Sequence, residues 1–170
     1  YEKEDDLWRY YHNTILFVAQ RIDDRDETRK ILNEAVPLVR KIEDESARND
    51  RFAWLTDRLR EARNYRDAQY CIGLISSPPL ATYKRYELYR DQREWDSALR
   101  ELATIENSGD KDWALRALRE HARLFKDVLH RYEDAIKIYR QINQPPGTLW
   151  SIQECYKRWG KLKEALTTLS

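Results

Sequence analysis

Residues able to do chemistry are plentiful in this sequence, but few stand at the spacings that chemistry requires. The three histidines, His12, His121 and His130, show no HExxH spacing. His12 and His121 read as helical residues with no acidic residue placed to orient a ligating ring. Cys71 and Cys155 lie far apart and form no CxxC or mixed Cys/His ligand set. They read as two semi-buried helical thiols, which leaves the compartment open and leaning cytoplasmic. The glycine patterns of dinucleotide-binding turns, P-loops and nucleophile elbows are absent. The carboxylates have basic neighbours rather than an apolar pocket that would raise a pKa. The expectation is a non-enzyme with no catalytic residue, no metal site and no cofactor.

Charged and aromatic residues at helical spacing are what remain. Arg116, Arg119, Arg123 and Lys126 fall at i, i+3, i+7 and i+10, which puts them on one helix stripe. Such a cluster could grip a carboxylate or a phosphate through bidentate guanidinium bonds. Asp57/Arg60, Glu87/Arg90 and Glu154/Lys157 are acid–base pairs at i,i+3. On an exposed face such pairs are worth only about 0.2–0.5 kcal/mol each. In a chain with 36% charged residues, a solvated surface is the simpler reading of both features. Tyr83 and Trp150, one turn before two of these pairs, are harder to explain by solvation alone.

Positioning these residues falls to helices. Apolar residues make up 41% of the 170-residue chain, with only four Gly and five Pro, and the 6 Trp, 11 Tyr and 3 Phe require burial. The net charge of +1 supplies no global field toward a phosphate backbone, so nucleic acid is disfavoured as a partner. No apolar run is long enough for a membrane span, and no signal or lipidation motif is present. The chain begins at Tyr1 and contains no Met, which reads as one segment of a larger protein.

Apolar periodicity predicts helices over residues 3–22 and 26–47, the second interrupted at Pro37 by a kink or a break. From Asn49-Asp50 onward the hairpins become regular, with a helix bearing Phe52, Leu55, Leu59 and Ala62, then one bearing Tyr65, Ala68, Ile72 and Ile75. Further helices follow over 80–92, 95–106, 111–127, 132–143 and 148–159, with a last one from Leu162. The punctuation is Ser76-Ser-Pro-Pro79, Asn107-Ser-Gly109 with Asp110 as an N-cap, and Pro145-Pro146-Gly147. That makes ten helices in five hairpins.

A short motif recurs along this array. A large apolar residue, two polar residues and an alanine appear as Tyr65-Arg-Asp-Ala68, Trp95-Asp-Ser-Ala98, Tyr132-Glu-Asp-Ala135 and Leu162-Lys-Glu-Ala165. An apolar or aromatic residue stands nine positions before the alanine, as Leu59, Tyr89 and Tyr156. In the third copy one extra loop residue places Phe125 there, with Ala122 in a small-residue slot. Gly160 is a small turn residue, and Pro78/Pro79 and Pro145/Pro146 close repeats.

On these residues the stretch 50–170 resembles the tetratricopeptide repeat family, whose unit is about 34 residues long. The alanines here are 30, 37 and 30 residues apart, and Thr56, Tyr86 and Gln153 replace an expected small residue. The resemblance implies an all-α, antiparallel helix-hairpin solenoid with a right-handed superhelical stack. Residues 50–170 would hold about four repeats, and residues 1–49 an atypical N-terminal hairpin, either a cap or a degenerate repeat.

In such stacks the first helix of each pair lines a concave groove. The resemblance therefore implies a scaffold that binds a peptide or helix of a partner through Tyr83, Glu87, Arg90, Arg119, Arg123, Trp150, Glu154 and Lys157. The Lys and Asn with which chaperone-binding members clamp a C-terminal carboxylate are not matched, because Ala53 and Asp57 stand in their places. An alternative of another class is a regulatory or sensor module for a catalytic domain outside this segment. Self-association is a further expectation, because a terminal hairpin would expose Leu162, Leu166 and Leu169.

Overall fold

The computed structural model describes residues 25–168, so the helix expected over 3–22 lies outside the described residues. Among the described residues the chain forms nine helices and no strand. They are α1 (Arg25–Arg40), α2 (Glu45–Glu61), α3 (Tyr65–Ile72), α4 (Pro78–Asp91), α5 (Trp95–Glu106), α6 (Lys111–Asp127), α7 (Tyr132–Ile142), α8 (Gly147–Arg158) and α9 (Leu162–Thr167). The chain divides into two compact units after Ala98, within α5.

In the first unit, α1 packs on α2, and α2 packs on both α3 and α4. Leu32, Val36 and Val39 of α1 join Phe52, Leu55 and Leu59 of α2 and Ala68, Cys71 and Ile72 of α3 in one buried cluster. In the second unit, α7 lies against α6 and α8, and α9 lies against α8. Ala122 and Phe125, Ala135 and Tyr139, and Ile152 and Cys155 form its core. All four motif alanines, Ala68, Ala98, Ala135 and Ala165, are buried, as close helix approach requires.

The turn before each motif has one recurring geometry. Arg63, Arg93, His130 and Gly160, each five residues before an alanine, all have positive φ, at 57°, 61°, 54° and 79°. At the first turn Arg63 N–H donates to Arg60 O over 2.8 Å and Asn64 N–H to Leu59 O over 2.8 Å. The same two bonds recur as Arg93 to Arg90 and Glu94 to Tyr89, and again as Gly160 to Lys157 and Lys161 to Tyr156. This crossed pair is the Schellman helix stop, in which a left-handed residue lets the last carbonyls of one helix find donors. In the third turn Arg131 N–H reaches Phe125 O, one residue further back. That is the extra loop residue inferred from sequence. The residues nine or ten positions before each alanine thus supply the accepting carbonyl.

The largest departure from expectation is at the start. The helix expected over 26–47 runs through Pro37 and ends at Arg40, one turn after the proline. The next begins at Glu45, where Asp44 caps it by accepting from Ala47 N–H at 2.7 Å. The expected boundary at 49/50 therefore falls inside α2. Asn49 is buried, and its side-chain oxygen accepts from Ser76 N–H at 2.9 Å and Ser76 Oγ at 3.1 Å. It satisfies the loop between α3 and α4 rather than interrupting a helix. Downstream, observed and expected bounds differ by two residues or fewer from α4 through α8.

Candidate functional site

In the first unit the expected groove residues are already committed to one another. Arg60 bonds Asp57 at 2.7 Å within α2, and Glu87 at 3.1 Å and Asp91 at 2.8 Å on α4. Lys84 bonds Asp57 at 2.8 Å and Glu87 at 2.9 Å. Arg60 and Lys84 are only 10% and 12% exposed, so this lattice is largely shielded from water. Of the i,i+3 pairs expected from spacing the lattice contains Asp57/Arg60, whereas the Lys84–Glu87 pair, the cross-helix bonds and Asp91 were missed.

Tyr83 and Arg90 differ from expectation as well. Tyr83 is 5% exposed, its ring 5.5 Å from that of Tyr86, so it is a core residue and offers a ligand little surface. Arg90 lies over the Tyr86 ring at 5.6 Å, a cation–π arrangement. Thr56 and Tyr86, where the resemblance wanted small residues, are both buried. Thr56 Oγ donates to Phe52 O at 2.8 Å, which satisfies its hydroxyl inside the helix.

The second unit holds a pocket of about 340 Å³ between α6, α7 and the start of α8. Arg119, Arg123 and Lys126 enter it from α6. These are three of the four residues of the basic stripe, brought onto one wall because i, i+4 and i+7 share a helix face. The fourth, Arg116, instead lies over the Trp113 ring at 5.1 Å. Tyr139 and Ile142 of α7 close one side, and Thr148 and Ser151 of α8 another. No Asp or Glu lines the pocket. Burial pushes the Tyr139 hydroxyl above its usual pKa, so it stays protonated. Sequence reasoning missed Tyr139, Gln144, Thr148 and Ser151, although Pro145-Pro146-Gly147 announces the helix start that presents the last two.

Partners of the three cations differ. Arg119 donates to the neutral amide oxygen of Gln144. Arg123 bonds Glu120 at 2.9 Å, and Lys126 approaches Asp127 at 3.6 Å, both acids standing outside the pocket lining. Arg123 is 63% exposed. At the start of α8 the N-cap residue is Pro146, whose side chain cannot accept a bond, whereas Asp110 caps α6 by accepting from Asp112 and Trp113 N–H.

Trp150 lies near Thr148 and Ser151 at the start of α8 and is 62% exposed. Glu154 bonds Arg158 at 2.7 Å; this hydrogen bond is the main cause that holds its carboxyl below the usual range. Lys157 is exposed on the same helix. Leu162 and Leu166 are exposed on α9, as expected of the terminal hairpin, while Leu169 lies outside the described residues.

Two readings of chemistry-bearing residues change. His121 has an acidic neighbour after all, because the last turn of α5 brings Glu106 Oε1 to 2.7 Å from its Nδ1. The thiols are fully buried and unpaired with each other. Burial pushes Cys71 up to about 12 and Cys155 up to about 11. Among the described residues no group of three His, Cys, Asp or Glu is placed to hold a metal ion, and no helix is long and apolar enough to cross a membrane. Comparison with protein-family models, with curated proteins and with solved structures gave no match.

Proposed function

We propose that this chain is a tetratricopeptide-like interaction module that binds a peptide or helix of a partner protein, as one segment of a larger protein. The observation that carries the reading is Trp150, a residue 62% exposed in the same helical turn as two pocket-lining residues, in a pocket that Arg119 and Arg123 line from α6. Tryptophan and arginine supply a disproportionate share of binding energy at protein interfaces. An exposed indole also has much apolar area left to remove from water. The positive-φ residue repeated before four alanines, with the same crossed hydrogen bonds at three of them, supports a repeat architecture, and stacked helical repeats commonly present extended binding faces. Within this reading the binding face is that of the second unit, comprising Arg119, Arg123, Trp150, Glu154 and Lys157. Tyr83, Glu87 and Arg90 have structural duties in the first unit.

The test is selection from a displayed peptide library on the immobilised chain, with Trp150→Ala as the comparison. A consensus peptide should emerge, and its affinity should fall about tenfold or more in the variant, with the far-ultraviolet circular dichroism spectrum unchanged. Equal affinity for both chains, or no consensus, would refute the proposal.

A further inference from the structure

We infer that the pocket between α6, α7 and α8 is an oxyanion site that anchors a phosphorylated side chain of the bound peptide; this rests on the interaction-module reading above. Three cationic side chains line one cavity of about 340 Å³, and no carboxylate lines it. Packing like charges around a shared cavity is unfavourable unless a counter-charge enters. The acids that accompany them, Glu120 and Asp127, stand outside the lining, and Asp127 is also bonded to Arg158 at 2.8 Å. An anion in the cavity would face the three cations directly.

The arrangement favours phosphate over a carboxylate. A carboxylate is a planar fork that one guanidinium can satisfy. A phosphate monoester carries a charge of about −1.5 to −2 and three strong acceptor oxygens, enough to engage two guanidiniums and an ammonium together. Among the described residues Arg119 is held by the amide oxygen of Gln144, which is neutral and also lines the cavity. An incoming phosphate oxygen would replace a neutral acceptor with a charged one. Gly147 and Thr148 at the start of α8 line the same cavity, with Thr148 N–H donating to Gln144 O at 3.2 Å. The exposed indole of Trp150 in that turn can cover the flanking peptide residues.

The test uses the full chain labelled with nitrogen-15, with two kinds of probe. Inorganic phosphate is titrated against chloride at matched ionic strength, and a library-selected peptide is compared in its serine and phosphoserine forms. Phosphate should give saturable amide shifts at Gly147, Thr148 and Ser151 that chloride does not. The phosphoserine peptide should bind about tenfold or more tightly than its serine form, with a difference that shrinks as salt rises. The variant Arg119→Gln/Arg123→Gln, two exposed positions, should lose both effects while keeping its thermal midpoint.

Absence of phosphate-specific shifts overturns the inference. If the serine peptide still binds through Trp150 in that case, the interaction-module reading survives alone. Equal binding of the two peptide forms also overturns it. Phosphate binding with no peptide binding in either form overturns the peptide-borne assignment, and the interaction-module reading with it.

Discussion

Gly160 gives the most direct access to the forces that stop these helices. It sits at φ 79° in the turn before α9, and a Cβ built there meets no heavy atom within 4 Å. Replacing it with L-alanine therefore adds backbone strain without a clash. A left-handed L-residue costs about 1–2 kcal/mol, and the lost chain entropy of the unfolded state returns about 0.4–1 kcal/mol. The net destabilisation should be about 0.5–1 kcal/mol. D-alanine has the opposite backbone preference, so it carries the entropic benefit without the strain and should stabilise by about 0.4–1 kcal/mol.

The chain itself provides the chemistry for this comparison, because Cys155 lies five residues before the turn. Native chemical ligation at that cysteine can join a synthetic segment 155–170 carrying glycine, L-alanine or D-alanine at position 160. Urea unfolding followed by circular dichroism gives the three stabilities from shifts in midpoint at constant slope. The order should be D-alanine, glycine, L-alanine. Equal stability of the two alanine proteins would refute the claim that backbone handedness governs this turn.

Two further outcomes follow from the packing. Arg60→Ala removes the residue that ties three carboxylates together across α2 and α4, leaving Lys84 alone among them. Stability in urea should fall by about 1–3 kcal/mol, and added salt should recover part of the loss. Cys71 and Cys155, buried and with raised pKa values of about 12 and about 11, should be alkylated at least about 100-fold more slowly at mildly alkaline pH in the folded protein than in denaturant. Rapid labelling of the folded chain would show that the second core opens readily around Cys155.

Much of the helix pattern was legible because its punctuation is local. Proline pairs, Asp110 and the turns before the motif act within a few residues of themselves, so their positions could be counted along the chain. The helix boundary near Asn49 was misplaced because asparagine serves equally well at a helix end and as a buried acceptor for a distant loop. Only the position of Ser76 decides between the two. Tyr83 was misplaced for a similar reason: helical spacing assigns a face, but which face is covered depends on partners elsewhere in the chain. The basic stripe was visible in sequence as a row of charges. Its conversion into a pocket required α7 and the start of α8, whose contributions are ordinary residues until they are brought opposite it.

The lattice of Arg60, Lys84, Asp57, Glu87 and Asp91 joins α2 to α4, the two longer helices that flank the eight-residue α3. Each cation has more than one acceptor, and two of the carboxylates, Asp57 and Glu87, are each shared by both cations. Loss of Asp57 still leaves Arg60 on Glu87 and Asp91, and Lys84 on Glu87. Substitutions among these acids can then accumulate one at a time without separating the helices. A change at Arg60 removes both of its bonds to α4 and leaves Lys84 with Asp57 as the remaining ion pair across the two helices. Sequence drift on this face should therefore be more tolerant at the acids than at Arg60, which holds three of them.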